Sequence, residues 1–117
     1  MFYGCYSLNK LNLSNFNTKN VKNMKSVFMN CYSLKEINLF KYNTENVNIM
    51  SYMFNNCKSL KNLYISKFNT NKMTDMNYIF AKCPSIEMLD LSNFNTNNIN
   101  NMKYIFYECI SLKKIQI

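Results

Sequence analysis

Histidine, tryptophan and arginine are absent from this 117-residue chain, and glycine and proline occur once each, as Gly4 and Pro84. Without histidine there is no imidazole metal site and no histidine-dependent catalytic triad. A single glycine leaves no Gly-rich loop to cradle a phosphate. No apolar run approaches the roughly 20 residues of a membrane-spanning helix. No N-terminal apolar stretch with a small-residue cleavage site marks a signal peptide. Acids are few, at Glu36, Glu45, Asp75, Glu87, Asp90 and Glu108. Only Glu87 and Asp90 stand close in sequence, with no histidine or arginine to support them, so the chain is read as non-catalytic and without a cofactor or metal.

What is present is lysine, asparagine and a strong apolar pattern. The formal net charge is +8, and 48% of the residues are hydrophobic, too many for a disordered polymer. A lysine excess favours acidic partners or anionic surfaces. Sequence-specific nucleic-acid readers rely on the arginine fork, so its absence argues against nucleic acid. Asparagine fills 23 positions alongside abundant Lys, Ile, Tyr and Phe, the signature of AT-rich coding.

The cysteines are Cys5, Cys31, Cys57, Cys83 and Cys109, each 26 residues from the next. Every other feature obeys the same period. Phe2, Phe28, Phe54, Phe80 and Phe106 form one series, and Leu13, Leu39, Ile65, Leu91 and Ile117 another. Phe16, Tyr42, Phe68 and Phe94 are each followed by Asn-Thr. The chain therefore divides into units 1–26, 27–52, 53–78 and 79–104 and a half unit 105–117. Within a unit, the alternation ending in Leu11-Asn12-Leu13 predicts a strand with one buried face. Asn17-Thr18 predicts a turn and a helix N-cap. Val21, Met24, Val27 and Phe28 fall at three- and four-residue spacing and predict a short helix. One unit cannot bury its apolar face alone; stacking buries it, with strands in parallel.

The L-x-x-L-x-L strand pattern is that of leucine-rich repeats. The fuller string, from Met53-Phe54-Asn55-Asn56-Cys57-Lys58-Ser59-Leu60 through Phe68-Asn69-Thr70 to Met76, resembles the 26-residue repeat of BspA-like leucine-rich-repeat surface proteins. It departs from ordinary leucine-rich repeats in holding an aromatic where their asparagine follows the strand. The resemblance implies an α/β repeat solenoid: a right-handed coil with a parallel sheet on its concave face and short helices on its convex face. It also implies adhesion or protein binding at a cell surface, with a protein or glycan ligand and no catalytic residue carried over. An intracellular scaffold repeat is the alternative, and a cytoplasmic location stays open.

Several features admit a sharp and a plain interpretation. The cysteine column reads first as buried free thiols, with a disulfide or a metal site as alternatives. The column Met24, Met50, Met76 and Met102 reads as core. Asn12-Leu13-Ser14 is the one glycosylation-type triplet. Lys19, Lys22 and Lys25 would line a turn and a half of helix as a basic patch, or a solvated face. On the outward strand positions, most residues are polar, including Asn38 and Asp90. Phe40, Tyr64 and Met88 break that rule in successive units, each two positions earlier than the last. They form a diagonal contact stripe, or drift under AT-rich coding. Both ends lack a polar capping unit, which predicts continuation into further repeats or end-to-end self-association.

Overall fold

The computed structural model describes residues 1–117, a repeat solenoid of stacked coils. Each coil after the first contributes one three-residue strand: β1 (Glu36–Asn38), β2 (Asn62–Tyr64), β3 (Met88–Asp90) and β4 (Lys114–Gln116). β1 pairs in parallel with β2 and β3 with β4, Ile37 lying opposite Leu63 and Leu89 opposite Ile115. Ile37, Leu63 and Leu89 turn inward and their neighbours outward, as the alternation requires. Inside, one core cluster of 24 buried residues runs the length of the stack. Its spine is a phenylalanine column: the rings of Phe2, Phe28, Phe54, Phe80 and Phe106 stack nearly parallel, with successive centroids 5.5, 5.5, 5.9 and 6.0 Å apart.

The short helices expected opposite the strands do not form. That side is a run of tight turns whose N–H groups are shared between two directions. Met24, Ser26, Phe28 and Asn30 donate to the carbonyls of Ile49, Ser51, Met53 and Asn55 in the next coil, at 2.8–3.0 Å. The intervening Val27, Met29 and Cys31 donate to carbonyls three residues back in their own coil. The same arrangement recurs in the following coils, and it needs left-handed residues at Ser26 (φ 56°) and Asn30 (φ 63°). Tyr52, Asn56, Tyr78, Lys82, Tyr104 and Glu108 repeat them. An α-helix would need an unbroken right-handed run with every N–H bonded four residues back. Here half of those donors serve the neighbouring coil. The inward positions are still the expected ones, since Val47, Met50, Met53 and Phe54 are all fully buried. Three-residue turns return side chains to one face nearly as a helix does. The single glycine, Gly4, occupies the same left-handed repeat position at φ 70°.

The Asn-Thr pairs make turns, as expected, but cap no helix. Asn17, Asn43, Asn69 and Asn95 each accept, through Oδ1, the N–H two residues on, at 2.9–3.0 Å. The threonines link coils instead. The hydroxyls of Thr18, Thr44 and Thr70 donate to the carbonyls of Asn43, Asn69 and Asn95 at 3.0 Å. Each hydroxyl also accepts the N–H of that same asparagine at 2.7–2.8 Å. The cysteines are all free. The thiols of Cys31, Cys57, Cys83 and Cys109 donate to the carbonyls of Phe2, Phe28, Phe54 and Phe80 in the preceding coil, at 3.0–3.1 Å. Burial pushes the thiols of Cys31 and Cys109 up from 9.0 to about 11.

Four outcomes follow from this architecture. Thr44→Val strands both backbone groups of Asn69 and should cost about 1–3 kcal/mol in urea unfolding. Thr96→Val, at an exposed hydroxyl that bridges nothing, should stay within about 0.5 kcal/mol of the parent. Equal losses at both sites would contradict the ladder. Lys82→Gly relieves a left-handed residue with an exposed side chain, and should raise stability by about 0.5 kcal/mol after the entropy cost of glycine in the unfolded chain. Native protein should expose at most the half-buried Cys5 and Cys109 to a thiol reagent, and denatured protein all five without reductant. Because the unfolded thiols ionise first, stability should fall as pH rises from 9.0 towards 11, and the Cys57 thiol, raised further by its Cys83 neighbour and by burial, carries the fall beyond that. A flat profile there would show that the thiols are not desolvated.

Candidate binding surface

Register and alternation together write the outward face. One column runs Lys10, Glu36, Asn62, Met88, Lys114, since Glu36 lies opposite Asn62 and Met88 opposite Lys114. The next runs Asn12, Asn38, Tyr64, Asp90, Gln116. Phe40 stands two residues beyond the end of β1. Phe40, Tyr64 and Met88 are 55%, 49% and 57% exposed, so the diagonal is a surface feature and none of the three belongs to the core. Diagonal neighbours on adjacent strands lie about 7–8 Å apart, within reach of long side chains. Lys67 holds its Nζ 5.4 Å from the centre of the Phe40 ring, a cation–π contact on one face of the ring.

The face is not one continuous sheet. Across β1 and β2, Lys61 and Asn62 donate to the carbonyl of Lys35, and Leu39 donates to that of Tyr64. Across β3 and β4, Lys113 and Lys114 donate to Glu87, and Leu91 to Gln116. The corresponding bonds between β2 and β3 are not made. Between residues 9–14 and β1 there is only a long 3.5 Å contact from the Lys35 N–H to Asn9. On the turn side the bridges run unbroken, from Asn23 to Ile49, Asp75 and Asn101. The stack is thus zipped on its turn side and open at alternate seams on its strand side. A groove lies along each open seam. The first, about 1000 Å³, holds Phe40 and Asn38 between residues 9–14 and β1 and reaches Lys61 and Asn62 of the next coil. The second, about 490 Å³, holds Tyr64, Met88 and Asp90 between β2 and β3.

The two neighbouring acids are both engaged. Glu87 pairs with Lys113 at 2.9 Å, and that bond, with the lysine's charge, holds its carboxyl below the usual range. Asp90 accepts the Ser92 hydroxyl at 2.6 Å and the Ser92 N–H at 3.0 Å, which lower it likewise. Both shifts favour the ionised form, the reverse of what a general acid needs.

Lys19, Lys22 and Lys25 are exposed but share no helical face. They lie along the loop leading into the turn side. There the Lys19 carbonyl accepts the Asn46 side-chain amide, the Lys22 carbonyl accepts the Asn48 N–H, and the Lys25 N–H donates to Asn23. The helix expected to align them is absent, because left-handed residues and inter-coil bonds replace it. Sequence reasoning missed a different lysine group. Lys35, Lys41 and Lys61 join Lys10 along the first groove. The available signal was positional: Lys35 and Lys61 occupy the same place in successive units, one residue ahead of the outward strand column.

Among solved structures, the fold is similar to that in the crystal structure of a leucine-rich repeat protein from Bacteroides ovatus ATCC 8483. Identity is 22% and the TM-score 0.57, over 99% of this chain and 33% of that one. This chain spans about a third of the length of that protein, and the likeness establishes a shared coil architecture. No curated protein matches. The family model described as a Mycoplasma protein of unknown function, DUF285, matches residues 1–61 and again residues 30–116. The BspA-like leucine-rich-repeat resemblance is borne out by both findings. With the two matched spans together reaching from residue 1 to residue 116, the chain belongs to the DUF285 family.

Proposed function

We propose that this chain is a non-catalytic binding module that engages a protein partner on its strand face, serving adhesion as part of a BspA-like surface protein. The single observation that carries the reading is the run of Phe40, Tyr64 and Met88, half-exposed on a face that is otherwise polar. Large apolar groups held outward on rigid strands act as anchors at interfaces. Their placement in the grooves of open seams gives each a recess beside it into which a partner side chain fits. The engaged state of Glu87 and Asp90 supports binding over catalysis.

A column of free, buried thiols suits a reducing compartment, and this observation favours the second reading, an intracellular scaffold repeat using the same face. An antibody against the folded chain separates the two: labelling of intact cells supports the surface, and labelling only after permeabilisation supports the scaffold. No helix of the chain is long and apolar enough to cross a membrane.

The strand-face reading is tested by screening the chain against immobilised matrix proteins and glycans and titrating any partner found. Tyr64→Ala should then weaken binding by about 1 kcal/mol or more. If Tyr64→Ala is silent while Lys19→Glu with Lys22→Glu abolishes binding, the partner docks on the lysine-bearing loop and the proposal fails.

A further inference from the structure

The strand face is polarised along the stack. Over the first open seam stand Lys10, Lys35, Lys41 and Lys61 against Glu36, four cations to one carboxylate, a net of +3. Beside the exposed Phe40 ring, neutral donors are present as well. Asn12 and Asn38 spend their Oδ1 atoms on the N–H groups of Ser14 and Phe40, at 3.0 and 2.9 Å, leaving their amide N–H groups uncommitted. Glu36 already accepts from the Asn62 amide at 3.4 Å. The seam is rich in donors, and its one carboxylate is outnumbered four to one by lysines. Over the second seam the character changes. Tyr64 and Met88 supply apolar surface, Lys61 is shared with the first groove, and the two carboxylates there are engaged, Glu87 by Lys113 and Asp90 by Ser92.

From this, and resting on the strand-face reading above, we infer that the partner is an extended polypeptide segment crossing the strands, with carboxylates over the first seam and apolar side chains over the second. The two seams are two strand spacings apart, about 10 Å, which an extended chain covers in roughly three residues. The recognised pattern is therefore an acidic residue followed at about that separation by a large apolar one. The apolar part favours a polypeptide over an anionic glycan. Met88 offers nothing to a chain of hydroxyls, and Lys67 already occupies one face of the Phe40 ring on which a sugar would stack.

The probe is a fluorescein-labelled peptide carrying a run of glutamates ahead of a Leu-Phe pair, followed by anisotropy against the full chain. Binding should be salt-sensitive. It should weaken by about tenfold or more in Lys35→Glu with Lys61→Glu and stay unchanged in Lys19→Glu with Lys22→Glu. A peptide with lysines in place of the glutamates should not bind, and one with serines in place of Leu-Phe should bind more weakly. Heparin that binds through Lys35 and Lys61 while the peptide does not would overturn the polypeptide assignment in favour of an anionic glycan. Peptide binding indifferent to the Lys35 and Lys61 reversal overturns the polarity. If the matrix-panel partner still depends on Tyr64 in that case, the strand-face reading survives; if that dependence is lost too, both fall.

Discussion

Everything in this solenoid depends on the sharing of backbone donors along the turn side. In each coil, every second N–H from Met24 to Asn30 and its repeats crosses to the next coil, and the rest close turns within their own. This arrangement fixes the spacing between coils, because a hydrogen bond tolerates little change in length. The phenylalanine column, the threonine bridges and the thiol-to-carbonyl contacts then fall into register as consequences. Each links one coil to its neighbour through the same repeat position. The cost is borne by non-glycine residues in the left-handed region, at about 1–2 kcal/mol each. That cost is offset by backbone groups that would otherwise be buried without partners.

The strand side is the complement of that rigidity. Its ladders are short, three residues at most, and two of its seams are open. A face with gaps between strands presents recesses that a flat sheet would not. The exposed apolar groups stand where those recesses are, and the lysines gather beside one of them. Fixed geometry on one side and an indented face on the other suit a binding module built by repetition.

Much of this was legible in the sequence, for a physical reason: a repeat shows its inward positions by what it never varies within the chain. The strands at Ile37, Leu63 and Leu89, the phenylalanine series and the exposure of Phe40, Tyr64 and Met88 all sit where alternation and period place them. The conformation of residues 21–31 was not legible. Val21, Met24, Val27 and Phe28 have helical spacing, but successive three-residue turns produce nearly the same inward pattern. Only Gly4, at a position filled elsewhere by Asn30, Asn56, Lys82 and Glu108, hinted at a left-handed residue. The threonine was misread because capping and inter-coil bridging use the same hydroxyl, and local sequence does not say which backbone lies opposite it. The basic groove was missed because Lys10, Lys35, Lys41 and Lys61 are scattered over three units and meet only when the coils are stacked.

The inter-coil ladders have a consequence for how such a chain changes over time. A residue inserted or lost along the turn side of one coil would slide that coil's donors past the acceptors of its neighbour. Substitution on the outward columns disturbs none of these bonds. Variation in length along the turn side therefore leaves every ladder intact when it comes in steps of one whole coil, and point changes are left to rewrite the strand face. Duplicating a coil adds recognition surface without re-solving the fold, so extent and specificity are free to vary separately.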